Sequence, residues 1–370
     1  MIDTRPAVYH YYKQLIKHIK NEDVFFNGKL IYPRQFEIHL PANHIKSCQL
    51  YCPHCAGSKF DKSLGTWEIE GLELLNKLQG KIPYHIYGGA YTEPLMNPYF
   101  MTYLATTKKY NNHFGIHTNG ILLNQLEDSV GFLTELNRIA TDKEDYLSIS
   151  IDAGEQHSWS KTKGTKNFDW FNEIEKAISK TTSLNRTHAI RLCYLISPYS
   201  DSVENFEGIV DIAKRYKVDS LRFSIPFANY NQSFDKVKEY KANREQAYDK
   251  IYQDKLAKYL SNNEQEQPYI FYTEPEFTDI DRYTFNKCIY GYYQITFGAD
   301  GNVYKCSTVA TPTAKHCRLG KITSNLDEFN NMIVENFNEN WDCKKMCFDK
   351  GLRCNRMGLE INFEYSRLKK

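Results

Sequence analysis

The sequence predicts an α/β protein: a parallel sheet, open or closed into a partial (β/α)6 barrel of the TIM type, followed by a small C-terminal α+β domain. Three observations carry that expectation. Six short apolar or alternating runs recur with helical spacers between them, which is the rhythm of a parallel sheet. Polar or glycine-rich signals stand directly after four of those runs, where such sheets gather their chemistry. Nine of the ten cysteines fall into two clusters near opposite ends of the 370-residue chain.

Residues 1–35 read as a helical lead-in. Leu15, Ile16 and Ile19 lie along a helix from His10 to Lys20, and a connector ends at Tyr32-Pro33. Phe36-Glu-Ile-His-Leu-Pro41 is the first strand, short and alternating. From Thr66 to Leu78, the side chains Ile69, Leu72, Leu75 and Leu78 share one helical face, with Thr66 as the expected N-cap. Strands follow at Pro83–Tyr87, Phe114–Thr118 and Leu147–Ile151, and they run into Gly88-Gly89, Asn119-Gly120 and Asp152. Ala189–Ile196 and Ser220–Ile225 are the last two strands, separated by Phe206, Ile209, Val210, Ile212, Ala213 and Tyr216 at helical spacing. The barrel is therefore expected over residues 36–230. Residues 231–283, rich in Lys, Glu, Gln, Asn and Tyr, read as a polar helical connection. A separate unit is expected over 284–370, opening with two short strands around the turn at Asp300-Gly301.

Composition narrows the function classes. Lys+Arg 47 against Asp+Glu 45 leaves a net charge of +2, so neither nucleic acid nor a membrane is the expected partner. No run approaches the ~18 apolar residues of a membrane span. The first residues lack a charged segment followed by an apolar one, so a cytoplasmic location is expected. In that reducing compartment, clustered cysteines read as metal ligands or redox groups, not as disulfides.

The amino-terminal cluster, Cys48-x3-Cys52-x2-Cys55, offers three thiolates within eight residues of a loop after the first strand. Three ligands leave one iron of a [4Fe-4S] cluster open, whereas a structural zinc is closed by four. A zinc loop is the alternative use of the same cysteines, with His44 and His54 nearby. The triplet resembles the signature of the radical S-adenosylmethionine (radical SAM) superfamily, and the resemblance covers residues 34–230. Tyr87-Gly88-Gly89-Ala-Tyr-Thr-Glu93-Pro94 is similar to the glycine-rich segment of that family. Two departures stand out: His54 replaces the usual aromatic residue, and Ala90-Tyr91-Thr92 separates the glycines from Glu93.

The resemblance implies roles for several residues. Gly88, Gly89 and Glu93 would hold the methionine amino group of S-adenosylmethionine, and Asn119 with Ser150 or Asp152 its ribose. Arg191 would pair with the methionine carboxylate. It also implies that the cofactor is cleaved to a 5′-deoxyadenosyl radical, which takes hydrogen from an unactivated C–H bond. A reducing partner such as flavodoxin or ferredoxin would supply the electron.

The second cluster is Cys288-x17-Cys306, then Cys317, then Cys343-x3-Cys347-x6-Cys354. It resembles the SPASM and twitch extensions of the superfamily, which implies at least one auxiliary iron–sulfur cluster. Cys288 and Cys306 would supply two ligands, completed by two of Cys343, Cys347 and Cys354. Cys317 is either a spare thiol or part of a second, incompletely ligated cluster. A zinc-stabilised knuckle is the alternative.

Cys193 stands apart on Ile190-Arg-Leu-Cys-Tyr-Leu195, where strand alternation sets it on the same face as Arg191. It reads either as a small core residue or as an interior thiol that donates a hydrogen atom to a substrate radical. The expected function is C–H modification during maturation of a ribosomally made peptide, by epimerisation, cross-linking or oxidation. Dehydrogenation or epimerisation of a small natural-product intermediate, such as an aminoglycoside-like sugar, is the alternative. A non-catalytic zinc-binding interaction protein is the rival from another class.

Overall fold

A computed structural model describes residues 25–26, 29–42, 48–53, 55, 67–89, 92–166, 169–224, 251–263, 265–272, 290–307, 310 and 317–338. A hairpin of β1 (Phe25–Phe26) and β2 (Lys29–Leu30) precedes the main sheet. The expected helix from His10 to Lys20, His44, His54, Thr66, and the cysteines 288, 343, 347 and 354 lie outside the described residues.

The six predicted strands form as a parallel series in chain order. They are β3 (Gln35–Ile38), β4 (Tyr84–Tyr87), β5 (His113–Thr118), β6 (Tyr146–Ser150), β7 (Ala189–Leu195) and β8 (Ser220–Ser224). The helices between them are α1 (Glu68–Leu78), α2 (Phe100–Lys109), α3 (Leu123–Val130), α4 (Phe132–Ile139), α5 (Gln156–Lys163), α6 (Asp169–Ser183) and α7 (Val203–Arg215). Such crossovers are what a parallel pair requires. Trp67 occupies the position before α1 and gives it no side-chain cap; its indole instead donates to the Ala299 carbonyl at 3.3 Å. Two later helices are capped from their own sequence. Ser202 accepts from the Asn205 N–H at the start of α7, and Glu155 from Ser158 and His157 at the start of α5.

Strand alternation sorts the two faces. Phe36 and Ile38 on β3, Leu147 and Ile149 on β6, Leu192 and Tyr194 on β7, and Leu221 and Phe223 on β8 are 0% exposed and join the core beneath the helices. The opposite face carries Glu37, His117, Ser148, Arg191, Cys193 and Arg222 at the alternate positions. The hydrophobic core thus lies outside the sheet, and the concave side is left polar.

Four further strands extend the series of six at its two edges. Tyr269–Tyr272 (β9) pairs parallel to β8, within the stretch read from sequence as a polar helical connection. All four of its residues are buried, and a continuous Tyr-Ile-Phe-Tyr run suits a parallel strand covered on both faces. A helical piece, α8 (Ile251–Ala257), does lie in that stretch. At the other edge, β10 (Gln294–Phe297) pairs parallel to β3, and β11 (Asn302–Tyr304) and β12 (Arg318–Lys321) follow antiparallel. The expected strands around Asp300-Gly301 are therefore β10 and β11, and they continue the barrel sheet. Helix α9 (Leu326–Asn338) closes the described chain. The ten strands run β12-β11-β10-β3-β4-β5-β6-β7-β8-β9. Among the described residues, no helix is long and apolar enough to cross a membrane.

Candidate functional site at the mouth of the sheet

The parallel register brings the loops after β3, β4, β5 and β6 to one mouth. The loop after β3 carries Cys48, Cys52 and Cys55, all partly buried. A Cys55 N–H to Cys52 carbonyl bond of 3.0 Å closes a tight turn between the last two. Two donors address the Cys48 sulfur at 3.5 Å: the Leu50 backbone N–H and the Asn119 side-chain amide. Burial pushes the Cys48 thiol up to about 11, and the neighbouring Glu93 and Cys55 add to the rise. Burial likewise pushes Cys52 up to about 12, while Lys163 pulls it back. The three thiols therefore act on one another electrostatically. Each would become a far better thiolate once a metal replaced its proton.

The donor set suits an iron–sulfur cluster with one open iron: it offers three thiols, and two N–H groups reach the Cys48 sulfur. N–H groups aimed at a cysteine sulfur are also what iron–sulfur ligands use to tune their cluster.

The loop after β4 explains the glycines. Gly88 sits at φ +128°, and an added Cβ would meet the His117 carbonyl oxygen at 2.5 Å. At Gly89 a Cβ would lie 2.3 Å from the His39 ring. Gly89 then pairs with Thr92 in a single antiparallel bridge, a return of the chain between these two residues. That return brings Glu93 to the end of β5 despite its distance in sequence from the glycines.

Glu93 is 1% exposed and satisfied by protein donors. One carboxylate oxygen accepts from Thr118 Oγ1 at 2.7 Å and from the Leu95 N–H at 3.3 Å. The other accepts from the Asn119 N–H at 2.8 Å. Burial raises its pKa to about 7, against the pull of those hydrogen bonds. Asn119 in turn uses its side chain on Cys48 and on Gln49, whose Oε1 lies 3.3 Å away. Thr118 and Gln49 were not singled out from the sequence, and nothing in their local pattern marks them.

After β6, Ser150 donates to Asp152 at 2.8 Å. Asp152 is fully buried at φ +57°; one oxygen takes the Leu195 N–H at 2.8 Å, and the other is ion-paired with Lys163. Both oxygens are thus already engaged within the protein. Lys163 was missed by sequence reasoning, because a lysine before a helix-ending glycine reads as an ordinary exposed last turn. The structure buries it instead.

Arg191 and Cys193 share the concave face of β7, as alternation predicts. Cys193 pairs with Ser150 across β6–β7, and its sulfur lies 3.1 Å from Ser148 Oγ. Arg191 is two residues deeper, level with Ser148, and its guanidinium stacks 3.7 Å above the Tyr146 ring. Tyr146 also meets His117 Nε2 at 2.9 Å. His117 is exposed on the concave face. The concave face thus surrounds an accessible polar interior. Of the second cysteine cluster, Cys306 is partly buried and Cys317 is fully buried.

No protein-family model matches the sequence, and no curated protein matches it. Solved structures do. Streptococcus suis SuiB bound to S-adenosylmethionine matches with a TM-score of 0.56 at 13% identity, over 93% of this chain and 74% of that one. The same protein bound to precursor peptide SuiA matches with a TM-score of 0.52 at 13% identity, over 90% and 68%. The anSMEcpe protein with bound AdoMet matches with a TM-score of 0.53 at 17% identity, over 91% and 98%. The chain therefore shares the fold of radical SAM enzymes, a partial TIM barrel.

Proposed function

We propose that this protein is a radical SAM enzyme that modifies an unactivated C–H bond, with a ribosomally made peptide as its substrate. The observation that carries the proposal is the position of Cys48, Cys52 and Cys55 at the carboxyl-terminal mouth of the parallel sheet, with Cys48 held by Asn119. In this reading the three thiolates hold a [4Fe-4S] cluster with one open iron. When bound, that cluster supplies the electron that splits S-adenosylmethionine into methionine and a 5′-deoxyadenosyl radical.

The chain's own residues bind, orient and exclude. Gly88 and Gly89 pack against His117 and His39, where a Cβ would collide, and that close packing shapes the turn whose backbone would hold the methionine amino group. Ser150, partly exposed on the concave side, is the better ribose partner of the pair considered, because the Asp152 carboxylate is taken up by Lys163 and Leu195. Asn119 stands beside Cys48 to contact the same ribose. Glu93 acts as a brace that ties the glycine loop to β5. Arg191, deeper and stacked on Tyr146, is placed in this proposal at the boundary between the methionine carboxylate and the substrate. Cys193 is the proposed hydrogen-atom donor to the substrate radical, held by Ser148. Cys288 and Cys306 with two of Cys343, Cys347 and Cys354 would carry an auxiliary cluster, and a flavodoxin- or ferredoxin-type donor would deliver electrons.

The peptide reading is supported by the likeness to SuiB, which has been solved with its precursor peptide. The test is anaerobic reconstitution followed by an iron and sulfide count and addition of S-adenosylmethionine and dithionite. About eight irons with 5′-deoxyadenosine would match two four-iron clusters. About four with deoxyadenosine would strip the second set of cysteines of that role. Zinc with no deoxyadenosine would overturn the proposal.

A further inference from the structure

Lys163 ends α5 with its ammonium turned into the mouth, where its side chain is 2% exposed. Nζ is ion-paired with Asp152 and lies 3.2 Å from Ser150 Oγ. The Asp152 carboxylate is itself anchored by the Leu195 N–H at 2.8 Å, so the pair is fixed to the tops of β6 and β7. The same residue grips the cysteine loop through its backbone. The Lys163 carbonyl accepts the Tyr51 N–H at 3.2 Å, one residue before Cys52. Gly164, at φ +62°, packs so closely that an added Cβ would meet the Tyr51 carbonyl oxygen at 2.2 Å. The end of α5 and the cysteine loop therefore form one packed unit.

That contact sets a buried cation and a buried anion against the thiols. Lys163 favours the charged form of Cys52, and Asp152 opposes it. Reciprocally, Cys52 and Cys48 raise the Lys163 pKa. Because both charges are buried, little solvent screens them and they act strongly. A buried pair of this kind is weak evidence of a stabilising role, since desolvation offsets much of the mutual attraction.

We propose that Lys163 and Asp152 are positioning residues that set the reduction potential of the cluster held by Cys48, Cys52 and Cys55. The inference rests on the cluster reading given above and adds residues that no part of that reading assigns. Lys163 favours the added electron, and Asp152 disfavours it; neither is a ligand. Charges outside the ligand shell are a recognised means of tuning iron–sulfur potentials.

The experiment uses the full chain, reconstituted anaerobically, with potential measured on the EPR signal that changes when S-adenosylmethionine is added. K163Q is expected to shift the midpoint to more negative values, and D152N to more positive ones. K163R, which keeps the charge, and K161Q, an exposed lysine of the same helix, are expected to stay at the wild-type potential. A purely structural prop would instead lower iron content in K163Q and D152N alike, with no opposed shifts, and that result overturns the proposal. Should K163Q not fold, the D152N shift decides, and a negative or absent shift overturns it. A wild-type chain that takes up no iron fails the cluster reading itself, a result distinct from an iron-loaded chain whose potential ignores both substitutions.

Discussion

Asn119 touches Cys48 and Glu93 at once: its side-chain amide lies 3.5 Å from the Cys48 sulfur and its backbone N–H 2.8 Å from the Glu93 carboxylate. Three loops that are far apart in sequence are thereby tied together at the ends of β3, β4 and β5. Among the described residues 48–53 and 55 of the cysteine loop none is in a helix or strand, so their placement depends on such cross-links.

The first consequence concerns Asn119 itself. Asn119→Ala keeps the backbone bond to Glu93 and removes the donor to sulfur. A net hydrogen bond is worth about 1 kcal/mol, so iron should leave the variant about fivefold faster under a chelator. Loss at the wild-type rate would show that the amide does not support Cys48.

Glu93 supplies a pH dependence. Its pKa in the folded chain, about 7, exceeds the ordinary 4.5, so the folded state favours the protonated form. Its contribution is fully present below about 4.5 and is lost as pH rises through 7. The shift corresponds to about 3 kcal/mol. Buried His85, held down at about 4 by loss of water, works in the opposite direction, losing stability as pH falls from 6.5. The difference between wild type and Glu93→Gln isolates the carboxyl. Between pH 5 and 7.5, urea unfolding should show the wild type losing stability relative to the variant. Parallel curves would mean that Glu93 does not titrate there.

Gly89→Ala tests the tight approach to His39. The His39 ring is fully buried and bonded to Glu37 at 2.8 Å, so it has little room to yield. Overpacking of this sort costs about 1–3 kcal/mol. The urea midpoint should fall with an unchanged slope, and S-adenosylmethionine binding to the reconstituted protein should weaken. A midpoint equal to wild type would show that His39 moves aside freely.

Cys193→Ala separates radical formation from its quenching. 5′-Deoxyadenosine should form at the wild-type rate, while product is lost or altered, and deuterium from heavy water should no longer enter it. An unchanged product carrying solvent deuterium would assign the hydrogen donor elsewhere.

Much of the frame was legible in the residue order. The apolar periods of β3 to β8 and the spacing of Cys48, Cys52 and Cys55 depend on neighbours within a few positions, and local chemistry is what a sequence records. The buried strand Tyr269–Tyr272 was readable as an aromatic run, but the polar residues around it masked its period. The β10–β11 hairpin was visible at its Asp300-Gly301 turn, whereas its pairing with β3, more than 250 positions away in the chain, was not. The same holds inside the mouth. Sequence named Glu93, Asn119 and Asp152 as polar groups after strands, but it could not show that Glu93 and Asp152 are already occupied by Thr118, Leu95, Asn119, Leu195 and Lys163. Lys163 carried no mark in the sequence, and only the fold buries its charge beside Asp152. The sequence by itself determined the six central strands and the spacing of the cysteines and polar groups that follow them. Only the tertiary structure decided which groups meet and which remain available, because burial and hydrogen-bond partnership arise from contacts between distant segments.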